Sequence, residues 1–148
     1  MSATNSLHYR LCVEGGKWLH RRKRDYKKCD GKECQYKFCR FCHQYHYVAI
    51  EMNTWNMEQC DVWGYDGCDT VVIEVKTSHS DFVADLKKEC RKKENEVYQC
   101  GKIRWYLCPE GVIKAEELPK GWGLLYWDGK RIYYVVAPGE FPNTWYAD

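Results

Sequence analysis

A helix, three strands, a second helix, a fourth strand and a closing hairpin can be read in that order along this sequence. The order predicts an α+β (mixed α/β) fold, a mixed sheet flanked by helices. Three observations carry that prediction. Apolar residues recur at helical spacing near the N-terminus and again after Ser80; elsewhere they alternate or run together in short stretches; and turn-forming residues punctuate those stretches. At 148 residues the chain has the size of one domain, and 45% hydrophobic with 16% aromatic residues excludes a disordered chain. No apolar run reaches the ~20 residues that cross a bilayer, so no membrane partner is expected. Residues 1–9 lack a basic-then-apolar signal pattern, which points to a cytoplasmic, reducing location.

Each element has its own justification. Thr4, Asn5 or Ser6 can cap a first helix, with Leu7, Leu11 and Trp18 or Leu19 on one face. Gly15 and Gly16 weaken that helix. In residues 46–53, Val48, Ile50 and Met52 alternate with polar neighbours and read as a strand. Residues 57–65 and 70–77 read as two more, joined at Asp66-Gly67, a hairpin signal. Ser78, Ser80 and Asp81 offer N-cap side chains, and Phe82, Leu86 and Cys90 stand four apart. A second helix is therefore expected from near Ser80 to about residue 96. Residues 102–108 read as a strand stopped by Pro109, and 123–127 with 131–137 as a hairpin through Asp128-Gly129.

The strand at 70–77 carries the chemistry. Side chains alternate across a strand, so Val71, Ile73 and Val75 share one face while Val72, Glu74 and Lys76 share the other. A Glu and a Lys side by side on an otherwise apolar strand are rare unless paired or used. If Asp66 and Gly67 are the two central turn residues, Asp61 falls opposite Val72, on the face of Glu74 and diagonal to it. Two carboxylates and a lysine suit metal-assisted phosphodiester hydrolysis. Hard oxygens hold Mg²⁺ or Mn²⁺, the ion activates water, and the lysine steadies developing charge. On this reading Asp61, Glu74 and Lys76 are the catalytic residues and line a water-filled cleft.

The stretch from Gln59 through Asp61 to Tyr65, then Val71 to Phe82 with Glu74, Lys76, Ser78 and Asp81, then Asp85 with Lys87 or Lys88, resembles the PD-(D/E)xK nuclease superfamily. Within it the sequence is most similar to the MmcB-like DNA-repair family, which the strand ending at Pro109 and the Leu118-Pro-Lys-Gly-Trp-Gly-Leu segment also resemble. The likeness covers roughly residues 48–136. It implies a restriction-endonuclease-like αβββαβ core, a Mg²⁺-dependent nuclease or DNA-processing activity, and DNA or RNA as partner. It also implies the Val75 carbonyl as a further metal ligand and Glu14 as the acidic residue of the first helix. Cys60 stands where the motif expects Pro. Ser78 and Asp81 match the segment after the lysine, and they read equally as the cap of the second helix.

Cysteine is over-represented, at 10 residues. Cys29, Cys34, Cys39 and Cys42 cluster in one short loop, and four clustered thiols in a reducing compartment point to a structural Zn²⁺. His43 and His46 are alternative ligands. Residues 27–46 would then be a zinc-knuckle insert within a single nuclease-like domain spanning 1–148. The remaining cysteines read as small buried hydrophobes. Residues 17–40 carry a local charge of +7 against an overall +2, leaving −5 elsewhere. Arg21, Arg22, Lys23 and Arg24 are the candidate phosphate-backbone contacts. Two rival readings remain: a non-catalytic nucleic-acid-binding scaffold on the same fold, and a zinc-stabilised adaptor with no cation site at Asp61 and Glu74. Oligomeric state is left open.

Overall fold

The computed structural model describes residues 6–20, 45–54, 58–67 and 69–139. The first helix, α1 (Leu7–His20), begins where the Ser6 hydroxyl accepts the Tyr9 N–H at 3.1 Å. Gly15 and Gly16 lie inside it, both buried. A Cβ on Gly15 would come within 3.2 Å of the Leu107 side chain, and one on Gly16 within 3.4 Å of Ile50 and Val48. The glycines let the helix backbone rest directly on the strands, which offsets their poor helix propensity.

Among the described residues six strands form one mixed, open sheet in chain order: β1 (Tyr47–Met52), β2 (Cys60–Tyr65), β3 (Thr70–Val75), β4 (Ile103–Pro109), β5 (Gly123–Trp127) and β6 (Ile132–Val136). β1, β2 and β3 are antiparallel neighbours, β3, β4 and β5 are parallel, and β6 returns antiparallel to β5. The second helix, α2 (His79–Leu86), lies in the β3–β4 connection and is capped by the Ser78 hydroxyl, which accepts the Asp81 N–H. The order of helix, three strands, helix and further strands expected from the sequence is the order observed.

Strand alternation divides the core into two layers. Val71, Ile73 and Val75 of β3, with Ile103, Trp105 and Leu107 of β4, pack with Leu11, Cys12 and Leu19 of α1. Tyr106, Cys108 and Leu124 point to the opposite side, where they meet Phe82 of α2, Ile113 and Trp122. On the face of β1 and β2 away from α1, Trp63 stacks on Tyr65 and Tyr65 meets Tyr47, which is 65% exposed.

Two elements depart from expectation. α2 ends at Leu86 instead of running to residue 96, and two short 3₁₀ turns, Glu89–Arg91 and Lys93–Tyr98, follow. The turns swing Arg91 back toward buried carboxylates, which a continuous helix would not do. The β2–β3 connection is not a two-residue turn: pairing ends at Tyr65–Thr70, and the Asp69 N–H is taken by the Asp66 carboxylate at 2.8 Å. Among the described residues no helix is long and apolar enough to cross a membrane.

Candidate functional site

The longer turn moves the β2–β3 register by two residues, so facing parity is unchanged. Observed pairs run from Tyr65–Thr70 to Val62–Ile73, and continuing them sets Asp61 opposite Glu74, not opposite Val72. The Asp61 carboxylate takes the next bond of the ladder itself, accepting the Val75 N–H at 2.8 Å through Oδ2. Asp61 therefore joins the ends of β2 and β3 where their backbones stop pairing.

Glu74 and Lys76 do not line an open cleft. They are 2% and 7% exposed and belong to a buried polar cluster between β3, β4 and α2. Lys76 Nζ lies 3.3 Å from Glu74 Oε2 and 3.1 Å from Asp85 Oδ1. Arg91 reaches Asp85 Oδ2 at 2.9 Å and Glu74 Oε2 at 3.5 Å, and it also bonds Glu58. Arg104 clamps Glu58 from β4, and Glu58 Oε2 accepts the Cys100 N–H at 2.6 Å. The Arg91 and Arg104 guanidiniums stand 4.9 and 4.4 Å from the Trp122 ring centre, so the indole caps both charges. Tyr106 donates its hydroxyl to Asp85 at 2.7 Å, and Lys88 approaches Asp85 at 2.9 Å.

Among the described residues one acceptor in this cluster has no partner: Glu74 Oε1 is buried without a hydrogen bond. Burial first, then the Asp61 charge, pushes the Glu74 carboxyl up to about 7, despite the pull of Lys76 and Arg91. Asp61 behaves oppositely. Burial opposes its ionisation, but the His8 ring, the Val75 N–H and Lys76 together hold it below the usual carboxylate value. The two carboxylates thus differ in proton affinity while lying on neighbouring strand ends.

The residue of α1 that reaches Asp61 is His8, not Glu14. His8 Nε2 lies 3.3 Å from Asp61 Oδ1, and Nδ1 lies 3.8 Å from Cys12 Sγ. Glu14 stands six residues further on, about 240° around the helix, and pairs with Lys17 at 2.9 Å. The expectation for Glu14 is corrected accordingly. Hydrogen bonding to Asp61 raises the His8 imidazolium above its ordinary value against the effect of burial.

Glu74 and Lys76 meet on one face of the strand as the alternation predicted, while Asp61 bonds the Val75 N–H and His8 at the neighbouring strand end; Glu58, Arg91, Arg104, Tyr106 and His8 were missed. A signal existed for Arg104: it is a charged residue inside the apolar run of β4, the same anomaly that marks Glu74. His8 and Cys12 stand four apart, which places them on one helix face. Glu58 and Arg91 sit in irregular segments with no period to read. Cys12, Cys60, Cys90 and Cys108 are buried free thiols, as expected of small hydrophobes, and Cys100 is a half-buried one. Cys29, Cys34, Cys39, Cys42 and His43, with Arg21, Arg22, Lys23 and Arg24, lie outside the described residues.

No family model matches the chain, and no curated protein does. Among solved structures it is similar to a protein of unknown function from Silicibacter pomeroyi, with 26% identity over 64% of this chain and 60% of that one, at a TM-score of 0.49. The alignment thus spans less than two thirds of that protein's length.

Proposed function

We propose that this protein is a divalent-cation-dependent phosphodiesterase acting on DNA or RNA, built on a restriction-endonuclease-like αβββαβ core. The observation that carries the reading is the register that sets Asp61 opposite Glu74 at the ends of β2 and β3, with Lys76 beside Glu74 and Glu74 Oε1 buried without a hydrogen bond among the described residues. A buried carboxylate oxygen without a donor costs free energy, and a cation beside it removes that cost. The residues fit such an ion: Asp61 and Glu74 would hold it, the Val75 carbonyl is the expected further ligand, and Mg²⁺ or Mn²⁺ matches oxygen donors. When bound, the ion would supply Lewis acidity and an activated water.

The chain's own residues do the rest. The Val75 N–H and the His8 ring fix the Asp61 carboxylate from two sides. Asp85 and Glu74 hold the Lys76 ammonium at the strand end, where its charge offsets negative charge building on a phosphate. Arg91 and Arg104 bond Glu58, which ties the segment before β2 to β4 and to the turn after α2.

Cleavage of single-stranded, nicked and duplex DNA and of RNA, with Mg²⁺ or Mn²⁺ supplied, tests the proposal. Wild type should cleave at least one form, Asp61→Asn should not, and Lys76→Met should lose about 10²–10³ in kcat while keeping its fold. A second reading, a non-catalytic nucleic-acid-binding scaffold, is favoured by the fact that Lys76 is already satisfied by two carboxylates. Binding without cleavage of any form would replace the enzyme reading with that one.

A further inference from the structure

We infer that the cation site at Asp61 selects a borderline transition ion of the Zn²⁺ class over Mg²⁺, because α1 contributes His8 and Cys12 to it. This rests on reading Asp61 and Glu74 as a cation site, and it specifies the ion. One ring nitrogen of His8, Cys12 Sγ and an Asp61 carboxylate oxygen all lie within 4.8 Å of one another. His8 Nε2 approaches Asp61 at 3.3 Å, and Nδ1 approaches Cys12 Sγ at 3.8 Å and the Glu51 carboxylate at 4.0 Å. Donors around a tetrahedral zinc, with bonds of ~2.0–2.3 Å, need to be only slightly closer together than this. Glu74, the residue across from Asp61, is not one of these mutually close donors, so three protein ligands would leave the fourth position to water, as in catalytic zinc sites.

The chemistry of that set decides the metal. Mg²⁺ takes oxygen ligands almost exclusively, whereas imidazole and thiolate favour Zn²⁺ and its neighbours. His8 and Cys12 stand four residues apart, so both project from the same side of α1 and reach the strand ends together. Cys12 is fully buried, while His8 and Asp61 side chains are 36% and 20% exposed, which leaves a solvent-facing approach past the imidazole. Binding would release the Cys12 thiol proton to solvent and form the metal–sulfur bond, with no oxidation or reduction.

The test is zinc stoichiometry and affinity on the full chain, dialysed at fixed free Zn²⁺ and counted by elemental analysis. Thiols at Cys29, Cys34, Cys39 and Cys42 contribute equally to wild type and variants, so the difference reports this site. His8→Ala and Cys12→Ser should each hold about one ion fewer per chain than wild type, or bind it at least tenfold more weakly, with unchanged far-UV circular dichroism. Excess Mg²⁺ should not displace the ion from wild type. Because Cys12 is buried and its variant could unfold, the half-exposed His8 arm decides alone. Equal ion counts and affinities in wild type and His8→Ala would overturn the inference and reduce His8–Asp61 to an ion pair. Zinc that depends on His8 in a chain that cleaves nothing keeps this site and removes the hydrolytic reading. Cleavage lost in Asp61→Asn, with zinc unchanged in His8→Ala, does the reverse.

Discussion

Asp85 is a fully buried carboxylate surrounded by Lys76, Lys88, Arg91 and the Tyr106 hydroxyl. Burial alone would push it up, but Arg91, then Lys76 and Tyr106, hold it well below its ordinary 3.8. A carboxylate depressed in the folded state stabilises the fold above its unfolded value, and that stability is lost as pH falls through the folded value. Asp85→Asn should therefore cost about 3–5 kcal/mol at pH 7, since it strands Arg91 and Lys76. The gap from wild type in urea unfolding should narrow as pH drops below about 4. A gap independent of pH would show that Asp85 acts through packing, not charge. At this scale the sequence was half legible. Alternation exposed Glu74 and Lys76 because an apolar strand makes charges conspicuous. Their partners Glu58 and Arg91 come from segments without a period, so only the folded chain brings them together.

Glycine contacts set how closely the elements approach. A Cβ on Gly123 of β5 would sit 2.4 Å from the Trp105 ring and 3.0 Å from Pro138. Gly123→Ala must push a fully packed indole, so it should lower stability by about 1–3 kcal/mol in thermal or urea unfolding. An unchanged midpoint would mean that the β4–β5 layer yields more than its burial suggests. Element existence and order were readable from apolar periodicity, and the Ser6 and Ser78 caps from residue chemistry. The end of α2 was not: Phe82, Leu86 and Cys90 stand four apart, so the apolar spacing runs on past Leu86, but the chain leaves the helix there and turns Arg91 inward. The Asp66-Gly67 turn was mistaken for a two-residue loop because the Asp66 side chain closes a longer one. The facing of Asp61 survived that error only because the slip was an even number of residues.

Across the whole molecule, positive charge concentrates in residues 17–40 and the remainder is net negative. If Arg21, Arg22, Lys23 and Arg24 contact a phosphate backbone, affinity for duplex DNA should fall by about 0.9 log unit per log unit of salt for each phosphate neutralised. Replacing Arg21, Arg22 and Arg24 with Gln should flatten that slope; an unchanged slope would make the run a solvated surface. The mixed sheet with helices on both faces was legible because its parts repeat known periods. The cysteine cluster, a feature of composition and spacing alone, has no counterpart among the described residues. The central claim is that the ends of β2 and β3 hold a catalytic cation, and anomalous diffraction from crystals soaked in Mn²⁺ tests it most directly. An anomalous peak at the Asp61 and Glu74 carboxylates, lost in Asp61→Asn, is the expected result. Well-ordered crystals with no peak there, and Glu74 bonded only to Lys76 and Arg91, would contradict it.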